Sequence, residues 1–387
     1  MLHLGLAFLS LALVGFFHTV LGAALPAIRA SSGWSVAQGG LLGSSTWLGF
    51  TGAIFAGGFL SDFFARGRVI ALACFMMGAS ALLFGERFSF EWNCLLIGIL
   101  GAGTGMIVST SSALVMELHP RRTGMIMNLH HFFYAIGAIT GPLSMGYLVA
   151  EGWPWYPIYR IGGICLLLLG GAFVLQRKRS GPERVIGTSR SLSVLFKEKS
   201  LLLFTGVALF GVGTQNGIAL WLVSFLKETR SFPIFLASTG LALFSIGMAA
   251  GRLGSGWMAA RWSNTRVLFF LLCILTLDLF LFLLIPGKAP LLVLCFFAGF
   301  GCSGLFPCLL ALGGVCFPQW AGTVMGLLGT AAGIGSTVIS WWMSLVTQGL
   351  GLETGFFISL LAASIALLLV GISYRRLDRV ESRCLSP

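Results

Sequence analysis

Charge is scarce in this sequence. Asp, Glu, Lys and Arg make up 9% of the 387 residues, while apolar types make up 57% and the mean hydropathy is +0.95. So few charges cannot cover that much apolar surface in water, which excludes a soluble globular protein. Acidic residues are scarcest of all. The 12 Asp and Glu are scattered, and with only five His they form no clustered metal set. A glycine-rich phosphate loop is also lacking, as is a nucleophile placed beside a base. These absences count against a membrane enzyme or a non-transporting sensor, which is carried only as the alternative of another class. The nine cysteines lack paired metal spacing: Cys302 and Cys308 stand six apart in one apolar run, and Cys384 lies near the end. Small buried thiols are the expectation, with no disulfide, metal or cofactor.

What is present is apolar sequence in long runs. A membrane-spanning helix needs ~20 mostly apolar residues. Runs of that size recur at about 5–28, 38–61, 68–86, 93–117, 125–150, 158–176, 200–227, 234–260, 266–286, 290–316, 321–347 and 354–374. Twelve spans are therefore expected. The runs are continuously apolar, without the two-residue alternation of a barrel strand, so the spans are read as helices. The first run is longer than a signal-peptide core and lacks a basic start, so it is read as the first span.

The formal charge of +12 raises the question of nucleic acid, and its distribution answers it. With the N-terminus placed in the cytoplasm, Arg66, Arg68, Arg121, Arg122, seven basic residues from Arg177 to Lys199, Arg261, Arg266 and four from Arg375 to Arg383 fall on the cytoplasmic side. Only Arg29, Arg87, Arg160, Lys227, Arg230 and Lys288 fall opposite, and Arg252 lies within a span. This is the positive-inside pattern of an inner-membrane protein with both termini cytoplasmic. The expected partners are the lipid bilayer and a small solute, not nucleic acid, with the monomer as the working unit.

One long polar stretch, 177–199, divides the runs six and six. The domains expected are therefore a six-helix bundle over 1–176, a cytoplasmic linker over 177–199, a second six-helix bundle over 200–374 and a cytoplasmic tail over 375–387. The two halves also match at a constant offset of 198. Gly15 maps to Gly213, Gly58 to Gly256, Gly101 and Gly103 to Gly299 and Gly301, Pro120 to Pro318, and Gly137 to Gly335. An even number of spans per half gives both copies the same orientation, a parallel repeat about an axis along the membrane normal.

The loop after the second run reads Gly58-Phe-Leu-Ser-Asp62-Phe-Phe-Ala-Arg66-Gly-Arg68. It resembles the signature loop of the major facilitator superfamily, a glycine and an aspartate four apart followed by basic residues. The resemblance implies an all-α fold of two six-helix bundles related by pseudo-two-fold symmetry. It also implies solute binding near mid-membrane and alternating access. Gly58 is expected to allow close helix packing, and Asp62, Arg66 and Arg68 to act in a cytoplasmic latch. The second copy, Gly256 to Arg261, lacks the aspartate.

Polar groups inside spans are costly, so they mark function. Asn128, His131 and Tyr134 recur every third residue, on one face of a helix. Their mixture of donors, acceptors and a ring suits hydroxyl-rich solutes. Gln215 and Asn216 are adjacent amides in mid-span, followed by Trp221, and His18 maps onto Asn216 at the offset of 198. These seven residues are the expected solute contacts. Glu117, near Arg121 and Arg122, and Arg252 are expected to serve gating. The stretch Gly301-Cys-Ser-Gly304-Leu-Phe-Pro307 reads as a place where a helix can bend.

The same residues resemble the fucose-permease group of that superfamily, which contains sugar–cation symporters. Asn128, His131, Tyr134 and Gly137 match its span-5 pattern, Gln215 its span-7 glutamine, Gly251-Arg252 its span-8 pair and Pro307 its span-10 proline. The resemblance implies a secondary transporter of a small polar solute, with a monosaccharide as the substrate class. The embedded carboxylates of fucose symporters are absent: Gly22 and Val108 stand at those positions. Coupling to a proton would have to use His18, His131, Glu117 or Asp278; sodium coupling and uncoupled transport stay open. So does export of drugs or amphiphiles on the same fold.

Overall fold

The computed structural model describes residues 2–118, 123–175, 198–259, 261–317 and 321–385. These residues form helices and short turns, with no strand among them. Six helices come first: α1 (Leu2–Ser32), α2 (Val36–Phe63), α3 (Arg66–Leu83), α4 (Phe90–Leu118), α5 (Thr123–Ala150) and α6 (Tyr156–Leu175). Six follow the polar stretch: α7 (Lys199–Thr229), α8 (Ile234–Ala259), α9 (Asn264–Leu284), α10 (Lys288–Cys302 and Leu305–Cys316), α11 (Ala321–Leu350) and α12 (Leu352–Leu385). Eleven of these are long and apolar enough to cross a bilayer. The remaining one, α2, is 28 residues long, but glycine and serine dilute its apolar content. The linker expected at 177–199 lies almost wholly outside the described residues.

The chain divides into two compact units. One is Met1–Ile186 with Pro233–Ala242, and the other is Gly187–Phe232 with Leu243–Pro387. The start of α8 therefore groups with the first unit, where the Ser238 side chain lies against Gly146 of α5.

Within the first unit α1 packs on α5, α2 on α4, and α3 on α4 and α6. Helices in lipid approach closely where a side chain is missing. A methyl group at Gly49 would land on the backbone carbonyl of Gly98, and one at Gly137 on that of Ala12. Hydroxyls reinforce two of these crossings, Thr19 donating to the carbonyl of Ala138 at 3.1 Å and Thr110 to that of Gly57 at 3.2 Å. The far end of the unit is filled by Phe84, Trp155 and Tyr159, all nearly fully buried and in ring contact.

The second unit repeats these crossings at the same offset. Gly247, the counterpart of Gly49, abuts the carbonyl of Phe296, the counterpart of Gly98. Gly101 meets Thr46, and Gly299 meets Phe244; Gly103 meets Met77, and Gly301 meets Leu275. Each of these pairs is 198 apart. The internal repeat is thus a repeat of helix crossings. Two features belong to the second unit: α7 widens into π turns at Ala208–Val212 and Phe225–Thr229, and α10 is broken at Ser303 and Gly304, within the stretch expected to bend.

Up to Leu385 the segment expected as a cytoplasmic tail is helical, as the end of α12. Glu381, 1% exposed, accepts from the backbone N–H groups of Asn264 and Thr265 at 2.7 and 3.0 Å and from both of their side chains at 2.9 Å. A carboxylate on the unsatisfied N–H groups of a helix start is favourable. Asp378 accepts from the Ser263 hydroxyl at 2.6 Å and pairs with Arg266 at 3.3 Å.

Candidate functional site

The first unit brings together three polar aromatic side chains from three helices. His18 of α1, Trp47 of α2 and Tyr134 of α5 are all half-buried. The His18 Nδ1 is hydrogen-bonded to the Tyr134 hydroxyl. The His18 ring stands edge-on to Trp47, with centroids 5.1 Å apart and planes at 81°, and Trp47 in turn meets Phe50. The bond is possible because Gly15 and Gly137 let α1 and α5 nearly touch: a methyl at Gly15 would strike the Tyr134 carbonyl. The result is a small cluster with one phenol, one imidazole and one indole, able to donate, accept and stack. Trp47 was not among the expected contacts. A tryptophan in a span has no period or spacing that separates it from core.

His131 is half-buried, one residue from His130 with rings 5.9 Å apart. The more enclosed histidine is His130, fully buried with Nε2 3.0 Å from the Ser111 hydroxyl. The backbone of Asn128 lies in α5, but its side chain is outside the described residues.

In the second unit Gln215 is half-buried, its amide N–H donating to the Asn216 carbonyl oxygen at 3.4 Å. Asn216 is itself buried and donates to the Ser336 hydroxyl at 2.7 Å, which donates on to the Ala332 carbonyl at 2.6 Å. Trp221 is 0% exposed, and its indole N–H donates to the Ser340 carbonyl at 3.3 Å. Both Asn216 and Trp221 place their polar atoms in the α7–α11 crossing in this structure. Gln215 alone of the three keeps an accessible position.

Between α3 and the end of α4, Arg66 pairs with Glu117 at 2.6 Å and also donates to the Ala113 carbonyl at 2.6 Å. The partner of Glu117 among the described residues is therefore Arg66. Arg121 and Arg122 lie outside the described residues, as does the Asp62 side chain. Arg68 is exposed. Gly57 and Gly58 have different surroundings. A methyl there would meet open space, whereas one at Gly57 would strike Met106 and Ser109 at 2.6 Å. The close approach of α2 to α4 rests on Gly57, since Gly58 is turned away. Arg252 of α8 is half-buried. Asp278 is not its partner, because neither carboxylate oxygen has a hydrogen bond among the described residues.

Residues 7–340 match the Major Facilitator Superfamily. The chain belongs to that superfamily. It is a multi-pass membrane transporter, and the superfamily is not a class of enzyme. The chain is 25% identical over 341 residues to the cyanate transport protein of Escherichia coli, covering 86% of each. It is also 25% identical over 391 residues to a probable hexose phosphate transport protein of Chlamydia pneumoniae, covering 89% of this chain and 85% of that one. Among solved structures it resembles a bacterial homologue of the human lysosomal transporter Spinster, in an inward-facing and occupied conformation, with a TM-score of 0.82 at 14% identity over 96% of both chains. A D-xylose–proton symporter matches with a TM-score of 0.78 at 15% identity, over 95% of this chain and 96% of that one. At those identities the two structures speak for the fold alone.

Proposed function

We propose that this superfamily member carries a small polar solute across the cytoplasmic membrane by alternating access, as a monomer with both termini cytoplasmic. The first unit would contact the solute through His18, Trp47 and Tyr134, with His131 nearby; in the second unit, taken by itself, Gln215 is the half-buried polar group of the expected set. The observation that carries this reading is the His18–Tyr134 hydrogen bond at half-buried positions in mid-span. Polar groups in a bilayer are retained where they serve a pathway, and this pair can trade its mutual bond for bonds to a solute. Donor, acceptor and ring face together suit a hydroxyl-bearing solute, which supports a monosaccharide and the fucose-permease-like subgroup. In the same reading the Arg66–Glu117 pair is a cytoplasmic gate and a proton or sodium ion is the coupling ion.

A second reading is favoured by a specific observation. His18, Trp47 and Tyr134 can all donate hydrogen bonds and none is acidic, a set equally suited to a small anion. Two of the relatives are named for cyanate and hexose phosphate, both anionic solutes.

Uptake into proteoliposomes tests both. The panel would hold labelled monosaccharides, a hexose phosphate and cyanate, each with and without proton and sodium gradients. His18→Ala and Tyr134→Phe should lower uptake of whichever solute is carried. Accumulation of no sugar under any gradient removes the monosaccharide, and wild-type uptake in both variants removes the site.

A further inference from the structure

Asp278 lies in α9 and is 4% exposed, and neither of its carboxylate oxygens has a hydrogen-bond partner among the described residues. The hydroxyl of Thr276, two residues earlier, is also buried without a partner. The helix packed along this stretch is α10. A methyl at Gly301 would lie 2.9 Å from the backbone of Leu275, and one at Gly304 would strike Leu271. Two thiols of α10, Cys295 and Cys302, are fully enclosed and within electrostatic reach of the carboxyl. Between Lys288 and Cys316 the only titratable groups on α10 are its cysteines. Another helix against α9 is α12, which has no titratable side chain between Glu353 and Tyr374; Arg230, at the end of α7, donates to the Leu283 carbonyl of α9 at 2.9 Å and pairs with Glu353 at 3.0 Å. On α9 itself the remaining titratable groups are Cys273 and Arg266, and Arg266 pairs with Asp378. No basic side chain on these three helices stands level with the carboxyl.

A carboxylate enclosed without a donor or a counter-charge is costly, so a group kept there needs a positive ligand. A hard metal ion asks for about six oxygens, whereas the groups shown around this carboxyl are the two thiols of Cys295 and Cys302. A proton needs a single carboxylate oxygen. The wall that closes the site can move: α10 breaks at Ser303 and Gly304, directly after Cys302. We infer that Asp278 is a proton-binding site inside the second unit, loaded from and released to water as α10 bends at Ser303–Gly304. This goes beyond the solute reading and assigns the ion to a helix that carries none of the proposed solute contacts.

The test is infrared difference spectroscopy on the full chain in liposomes, wild type against Asp278→Asn, with the bath stepped from acid to alkaline. Helix content is followed in parallel by circular dichroism. The expected result is a protonated-carboxyl carbonyl band in the wild type that is missing in Asp278→Asn, fades as the bath turns alkaline while helix content holds, and returns on acidification. Asp278→Glu, which keeps the carboxyl, should move the band without abolishing it, and covers the case in which the Asn variant fails to fold. Absence of any band assignable to Asp278, or a band that persists unchanged until the helices melt, overturns the inference. The readout needs no solute, so its failure is distinct from failure of the transport reading.

Discussion

The hydroxyl of Tyr134 is hydrogen-bonded to Nδ1 of His18, tying α5 to α1 in the first unit. The position 198 residues beyond His18 is Asn216, which ties α7 to α11 through Ser336. Both bonds bridge the equivalent helix pair. One leaves its groups half-buried and the other encloses them. The repeat has therefore kept a crossing while the two copies divided in use, with an open polar pair in one half and a closed one in the other.

That division gives a first prediction. Tyr134→Phe removes one neutral hydrogen bond, worth about 0.5–1.5 kcal/mol, and should lower solute uptake with only a small fall in melting temperature. Ser336→Ala leaves the buried Asn216 amide unsatisfied and should cost roughly 1–3 kcal/mol while leaving apparent solute affinity unchanged. Thermal unfolding in detergent, set beside an uptake titration, separates the two. Equal loss of affinity in both variants would refute the distinction.

The repeated crossings give a second. Gly247→Ala places a methyl on the Phe296 carbonyl, and Gly49→Ala places one on that of Gly98. Overpacking of this kind costs about 1–3 kcal/mol, so both variants should melt earlier. Gly58→Ala, whose methyl would meet open space, should melt like the wild type. A destabilised Gly58→Ala would contradict the assignment of the close contact to Gly57.

Glu381 supplies the third. Its carboxylate takes four hydrogen bonds at the start of α9. Bonds to a charged acceptor are worth more than neutral ones, roughly 1.5–3 kcal/mol. Glu381→Ala should therefore destabilise the second unit by about that amount or more, and Glu381→Gln by less because one acceptor oxygen remains. Truncation before Glu381 should reproduce the alanine result in the same melting assay. A wild-type melt in the truncated protein would show that the contact adds nothing.

A fourth prediction concerns acid. The Ser263 hydroxyl holds the Asp378 carboxyl below the usual carboxylate range against the opposing effect of burial, with Arg266 adding to the lowering. A depressed folded-state pKa means the folded state favours the ionised form. This contribution to stability is complete above the ordinary Asp value of ~3.9 and is lost as pH falls through the lowered folded value. Asp378→Asn should lower stability near neutral pH, where the contribution is complete, and flatten the acid limb, where the wild type loses it. An unchanged acid limb would count against the linkage.

Much of the architecture was legible from one dimension. The expected runs fall within the twelve helices to a few residues, because lipid demands long apolar stretches and tolerates few exceptions. The offset repeat was legible for a related reason: where two helices nearly touch, only glycine fits, so Gly101 and Gly299 mark the same crossing in each half. Other features left no local trace. Gly57 and Gly58 are indistinguishable as letters, and only helix rotation puts one against Met106. Adjacent Gln215 and Asn216 looked alike as binding groups, yet one turns into the α11 crossing. Glu381 read as part of a charged tail, with nothing beside it to announce a partner more than a hundred residues away.

By itself the sequence determined the membrane setting, the long apolar helices and the family-like loop. All of these follow from composition and from periods that a bilayer imposes on every segment separately. Only the tertiary structure decided which polar groups are spent on packing, as at Asn216 and Trp221, and which stay half-open, as at His18, Tyr134 and Gln215. It also decided that Asp278 is enclosed without a hydrogen-bond partner among the described residues. Those outcomes depend on helix rotation and on contacts between residues far apart in the chain, and a rotation of part of a turn reverses them without altering a single letter.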